Sequence, residues 1–130
     1  MKILGIELKS STIIAVLLED QQIQEFPNKI ELKDSYDSDE VRQLSKKLND
    51  LFTKADIDQV IIKKRMEKGK FAGGAASFKL EGLIQLSTDK PVSFITGTQI
   101  KSFEKKADVD LSQVKKYQEQ AYLAALTLIK

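Results

Sequence analysis

Val60-Ile61-Ile62 is a run with no polar face. A strand that is apolar on both sides suits the interior of a sheet covered by helices above and below. The remainder of the chain has to supply that sheet and those helices. Ahead of it, Ile3 to Leu8 and Thr12 to Leu18 are two β-rich runs separated only by Lys9-Ser10-Ser11, the spacing of a hairpin. A third run, Gln22 to Lys33, sets Ile30 and Leu32 between Lys29, Glu31 and Lys33, and its Pro27 points to an edge position or a bulge.

Helical periodicity fills the gaps between strands. Asp37-x-x-Glu40 reads as a capping box, followed by Val41, Leu44, Leu48, Leu51 and Phe52 on one face, in a helix that ends near Lys54. A second helix is expected from Ala75, burying Phe78, Leu80, Leu83 and Ile84. Pro91 to Ile95 reads as a short fifth strand, and a last helix is expected from Asp110, with Gln113 three residues on, through Val114, Tyr117, Ala121, Leu123 and Leu126. The order β-β-β-α-β-α-β-α predicts one α/β domain over residues 1–130. Its mixed five-stranded sheet has three antiparallel strands first and helices on both faces, the element order of the ribonuclease H-like fold.

Composition closes off several chemistries. The chain has 130 residues, 42% of them hydrophobic and 31% charged, with no cysteine and no histidine. Disulfides, thiolate nucleophiles, Ser-His and Cys-His catalysis and the usual zinc sites are therefore excluded. Any hydrolysis would rest on carboxylates, lysine or a metal held through oxygen. The longest aliphatic stretch, Ile13 to Leu18, is far too short to span a bilayer, and the N-terminus reads directly into a strand without a signal peptide's apolar core. The expectation is a cytoplasmic protein without a membrane partner.

A formal charge of +2 does not announce a polyanion binder, so the distribution of charge decides. Lys63, Lys64, Arg65, Lys68 and Lys70 place five positive charges in eight residues, opposed only by Glu67. Gly73-Gly74 follow at the start of a helix, with Lys79 a turn later. Clustered cations beside backbone that permits close approach are how proteins hold phosphate, which makes DNA or RNA the expected partner of this segment. Arg65 is suited to bidentate phosphate contact and Phe71 to stacking on an exposed base. The bland readings are a solvated lysine run, a core phenylalanine and a glycine pair serving helix packing, because the segment lacks the endings of a Walker or dinucleotide-binding loop. Tyr117 and Tyr122 read as packing residues or as a homodimer face.

GIELKSSTIIAVLLED, IIKKRMEKGKFAGGAASFKLEGLIQL and KKYQEQAYLAALTL together resemble the bacterial domain-of-unknown-function family 3010, across nearly the whole chain. That family in turn resembles the RuvC Holliday-junction resolvases. In nucleases of this fold, acids on the first strand, the fourth strand and the last helix meet at one end of the sheet and hold two magnesium ions. The resemblance places these seats at Glu7, at Lys64, where the family pattern is Lys-Glu-Arg, and at Gln120, where the family tends to have aspartate.

Two of the three seats are thus not acidic. Lys64 would repel magnesium and is expected to pair with Glu7 as a fixed cation. Glu119 lies one helical residue, about 100°, away from position 120, and Glu67 and Glu81 are the remaining acids nearby. What the resemblance implies is a nucleic-acid-binding protein with a degenerate nuclease centre: Glu7 as remnant, no metal or other cofactor expected, and a homodimer in the manner of resolvases. The alternatives are an active magnesium-dependent, structure-selective nuclease and a protein-interaction module. An actin-like or sugar-kinase ATPase is disfavoured, because such enzymes bind nucleotide between two domains of this kind.

Overall fold

The computed structural model describes residues 1–65 and 74–129. The first two strands, β1 (Lys2–Lys9) and β2 (Thr12–Glu19), form the expected hairpin, in register from Lys2 opposite Glu19 to Lys9 opposite Thr12. The third run divides into β3 (Gln22–Gln24) and β4 (Lys29–Glu31), both antiparallel to β2. Pro27 lies in the gap and has no N–H to offer a ladder. Pairing resumes where the Ala15 N–H donates to the Asn28 carbonyl at 3.0 Å. Of the edge position or bulge expected at Pro27, the edge is what is found: β3 and β4 each pair only with β2, and the run is interrupted between them.

β5 (Gln59–Lys63) runs parallel to β1, and β6 (Val92–Ile95) parallel to β5. The strand order is β3-β2-β1-β5-β6 with β4 also on β2, six strands where five were expected. Among the described residues four α-helices complete the fold: α1 (Ser38–Ala55), α2 (Ala75–Leu86), α3 (Gly97–Ala107) and α4 (Glu119–Ile129). Asp37 caps α1 by accepting from the Asp39 and Glu40 N–H groups.

Two features depart from the sequence reading. α3 was not anticipated, although Thr96 and Gln99 form a reciprocal capping box at its start. The last helix begins at Glu119 rather than Asp110, because Asp110 caps only the 3-10 turn Leu111–Gln113 and Val114 then returns to extended backbone. No helix among the described residues is long and apolar enough to cross a membrane.

The sheet is covered on both faces. Leu4, Ile6, Val60 and Ile62 pack with Leu44, Leu48 and Phe52 of α1 and with Leu80 and Ile84 of α2. Ile3, Ile61 and Ile95 face Ile100 of α3 and the Ala121–Leu126 stretch of α4. Phe78, expected in the core, is 62% exposed. With Leu80 and Ile84 turned to the sheet, Phe78 stands about 200° round the helix from Leu80 and faces outward.

The tightest packing lies between β1 and α4. A Cβ added to Gly5 would stand 2.0 Å from the Ala121 carbonyl oxygen and 2.9 Å from the Ala125 Cβ. Gly5 is thus required by the close approach of a helix backbone, and Ala121, Ala124 and Ala125, all fully buried, keep that approach short. Gly5→Ala forces α4 off the sheet and is expected to cost about 3 kcal/mol, as overpacking of a close-packed core does, measured by urea denaturation.

Tyr122, on the same helix, is buried, and burial raises its hydroxyl above the ordinary 10.0, with the Asp110 carboxylate adding to the shift. The unfolded tyrosine ionises at the lower, ordinary value. The contribution is therefore complete below about pH 10 and is lost as pH rises through the folded value. Melting temperature is expected to fall as pH rises above the ordinary tyrosine value of about 10, less steeply in Tyr122→Phe.

Candidate functional site

Three helices begin at the edge of the sheet where the parallel strands end. Ser77, in the first turn of α2, donates its hydroxyl to the Ser10 carbonyl in the β1–β2 turn at 2.6 Å. α3 starts directly after β6, with the Lys63 side chain against Gly97, its Cε 3.4 Å from where a Cβ would sit. The start of α4 is held by buried Gln118, whose Nε2 donates to the Ala15 carbonyl at 3.3 Å while its Oε1 accepts from the Lys115 N–H at 3.1 Å. Helix N-termini present unpaired N–H groups and the positive end of the dipole, so this edge favours negative charge.

Glu7 occupies that edge. Side chains alternate along β1, so Leu4 and Ile6 enter the α1/α2 core while Ile3, Gly5 and Glu7 face α4. The Glu7 residue is 8% exposed. Its Oε2 accepts from Lys63 Nζ at 3.4 Å, and Lys9 Nζ lies 4.0 Å from Oε1, which has no hydrogen-bond partner among the described residues. Glu7 borders a depression of about 510 Å³ whose other walls are Lys9, Lys116, Tyr117, Glu119 and Gln120.

The structure thus joins the first-strand and last-helix seats, since Glu7 and Gln120 share one depression. The remaining seat, on β5, differs from expectation. Lys64 is exposed, its N–H bonded to the Ile95 carbonyl at 2.7 Å, and the ion pair with Glu7 is made by Lys63. The parallel register sets Ile6 beside Ile62, so the next pair on the α4 side is Glu7 beside Lys63, and Lys64 falls on the opposite face. Glu119, set aside on helical rotation, also lines the depression. It opens α4 directly after the 3-10 turn Lys116–Gln118, whose Lys116 and Tyr117 line the same depression.

Other candidates are distributed around this edge. Arg65 lies 3.5 Å from the Glu81 carboxylate and with its guanidinium 4.8 Å over the Phe78 ring, so Glu81 serves an ion pair rather than a metal seat. Lys79 donates to the Ser35 carbonyl and sits 5.5 Å from the Tyr36 ring. Gly74 caps α2 in extended backbone, with open space beside it. Glu67, Lys68, Lys70, Phe71 and Gly73 lie outside the described residues. Tyr117 is half-buried beneath Lys29, whose Nζ is 4.2 Å from the ring, and Tyr122 is 4% exposed, so Tyr122 supplies no open dimer face. Gln118, which orients the start of α4, was not singled out from sequence; nothing marks a glutamine as buried until its strand partner is known.

The residues present do not fit a two-magnesium centre. Such a centre needs several convergent carboxylates, whereas here an ammonium group lies 3.4 Å from Glu7, the one buried acid among the described residues. Among the described residues, the acids that do converge are Asp34, Asp37 and Glu40, with ligand atoms within 4.8 Å of one another. They lie at the start of α1, where Asp37 is already engaged in capping.

The family described as "Protein of unknown function (DUF3010)" matches residues 1–128. The chain belongs to the DUF3010 family. Among solved structures, this DUF3010 member is similar to T. thermophilus RuvC in complex with Holliday junction substrate: TM-score 0.73 and 10% identity over 98% of this chain and 91% of that one. A second Thermus thermophilus RuvC structure gives a TM-score of 0.68 at 11% identity, covering 98% of this chain and 92% of that chain. A ROK hexokinase from Thermus thermophilus matches at a TM-score of 0.50 and 12% identity, over 81% of this chain but only 37% of the hexokinase. No curated protein matches. At these identities the likeness concerns the fold, which is ribonuclease H-like.

Removing the cation from the Glu7 pair tests the geometry. Lys63→Met keeps the aliphatic stem but leaves a largely buried carboxylate without its closest partner, and is expected to cost about 1–3 kcal/mol. Lys64→Met, at an exposed position, should stay within about 0.5 kcal/mol of the parent. Both are read from chemical denaturation, and an equal loss in the two variants would contradict the register described here.

Proposed function

We propose that the chain is a nucleic-acid-binding protein whose nuclease centre is reduced to a fixed Glu7–Lys63 ion pair. What supports this reading is the Lys63 ammonium 3.4 Å from the Glu7 carboxylate, with Lys64 and Gln120 standing where the resemblance expects acids. The ammonium supplies positive charge beside the one first-strand acid without a metal. The same edge carries Lys64 and Arg65, and the sequence continues into Lys68 and Lys70. The RuvC relative seen with a Holliday junction makes four-way DNA the first substrate class to test. Glu7→Gln separates this reading from catalysis, because it removes the carboxylate while leaving the basic segment intact.

A second reading, a magnesium-dependent nuclease, draws on one observation: Glu119 shares the depression with Glu7, so two carboxylates border it. Binding to four-way, duplex and single-stranded DNA and to RNA is measured by fluorescence anisotropy across a salt series, alongside cleavage and thermal-shift assays with magnesium and manganese. The degenerate reading expects binding that weakens steeply with salt through counterion release, no cleavage, and no metal-induced rise in melting temperature. Metal-dependent cleavage lost in both Glu7→Gln and Glu119→Gln would establish the nuclease instead. Undetectable binding to every substrate at low salt would remove the nucleic-acid reading altogether.

A further inference from the structure

The depression beside Glu7 holds more hydrogen-bonding capacity than the fold uses. An ionised carboxylate offers about four lone-pair positions. Among the described residues Lys63 fills one of them, at 3.4 Å on Oε2, while Oε1 is buried and has no partner. Leaving a buried acceptor without a donor is costly, and such groups are rare. Lys9 Nζ, 4.0 Å from Oε1, is beyond hydrogen-bond reach and belongs to a side chain that is 59% exposed. Lys116, Tyr117, Glu119 and Gln120 complete the walls.

Building on the nucleic-acid reading above, we propose that this depression receives one unpaired nucleotide of a bound strand, whose base carries an amino group beside a ring nitrogen, as adenine and cytosine do. Glu7 accepts from the amino group and Gln120 donates to the ring nitrogen. The charges on the walls select such a ligand: a simple anion would meet Glu7 and Glu119, and a simple cation would meet Lys9 and Lys116. A nucleotide brings both halves, N–H donors on its base and negative charge on its phosphates. Glutamine and glutamate are also the side chains that match these bases, the amide pairing with the amino group and ring nitrogen of adenine and the carboxylate accepting from the amino group of cytosine. A volume of about 510 Å³ lies in the range of pockets that enclose a small ligand.

Burial requires that the base be unpaired. Glu7 is 8% exposed, so an amino group reaches it only on a base that enters the depression, and a base held in a duplex stack does not. Tyr117, with Lys29 Nζ 4.2 Å from the centre of its ring, gives the entering base an aromatic neighbour. Lys9 links the two halves of the ligand. An exposed lysine gives up a 4.0 Å contact at little cost, and by turning outward to a phosphate it leaves Oε1 to the base. Thymine, which has a carbonyl oxygen where cytosine has its amino group, sets acceptor against acceptor.

Short oligothymidylates with one central base replaced by adenine, or by purine, which is adenine without its amino group, test this by fluorescence anisotropy at low salt. The parent chain is expected to bind the adenine strand roughly tenfold more tightly than the purine strand. Glu7→Gln should bring that ratio to about one, because Lys63, a donor only, holds the new amide oxygen and leaves the NH2 group facing the base. Gln120→Ala, at a half-buried position, should lower the ratio as well and keeps the test open if Glu7→Gln fails to fold. Lys116→Ala should weaken both strands equally and leave the ratio as in the parent. Equal binding of the two strands by the parent, a preference undiminished in both Glu7→Gln and Gln120→Ala, or competition by deoxyadenosine monophosphate as strong as that by the adenine strand would each overturn the proposal while strand binding itself stands. Failure to bind either strand would remove the nucleic-acid reading and this site together.

Discussion

The seating of α4 on β1 through Gly5 is the contact on which the rest of the molecule depends. The Ala121 carbonyl oxygen occupies the space where a side chain on Gly5 would be, 2.0 Å from the position of a Cβ. A helix held that close has little freedom to slide. Its first residues, Glu119 and Gln120, therefore come to rest beside Glu7, two positions along β1 from Gly5 on the same face. β1 is also the strand that joins the antiparallel part of the sheet to the parallel part. One close contact thus fixes both the core and the geometry of its chemical edge.

The pairing of Glu7 with Lys63 follows from register, and register was the part of the site that sequence could not show. In an alternating strand the apolar residues declare which face each neighbour takes. Val60-Ile61-Ile62 has no alternation, since both faces of β5 are buried. The pattern therefore marked a central strand correctly while saying nothing about whether position 63 or 64 faced α4. That answer comes from the parallel ladder with β1, where Ile6 stands beside Ile62. Glu7 itself was legible, because a charged residue in an otherwise apolar strand demands a partner.

Elsewhere legibility tracks how local the determining interaction is. The β1–β2 hairpin and α1 are set by neighbouring residues, and the sequence shows both closely. α3 carries a local signal in Thr96 and Gln99, but without a long apolar stripe behind it that signal does not stand out. At Asp110 the local signal misleads: its side chain accepts from the Ser112 N–H and starts a turn that Val114 does not continue. The start of α4 depends on Gln118 reaching Ala15, a contact between residues 103 positions apart. Phe78 is expected in the core because an apolar residue on an apolar helix has two faces to choose from, and only the tertiary contacts of Leu80 and Ile84 decide between them.

The charges that border the depression bear directly on the proposed reading. Carboxylates gathered at one end of a sheet repel a phosphate backbone unless metal ions neutralise them. Here the depression is bordered by Glu7 and Glu119 on one side of the balance and by Lys9 and Lys116 on the other, with Lys63 paired to Glu7 as a further cation. The positive groups outnumber the negative ones without any ion being supplied. Helix N-termini pointing at the same edge add to that bias. A carboxylate-rich edge has to recruit metal before it can hold phosphate, and the same recruitment makes it reactive. On the proposed reading, fixed ammonium groups separate the two properties, leaving an attraction for phosphate without the Lewis acid that would activate water.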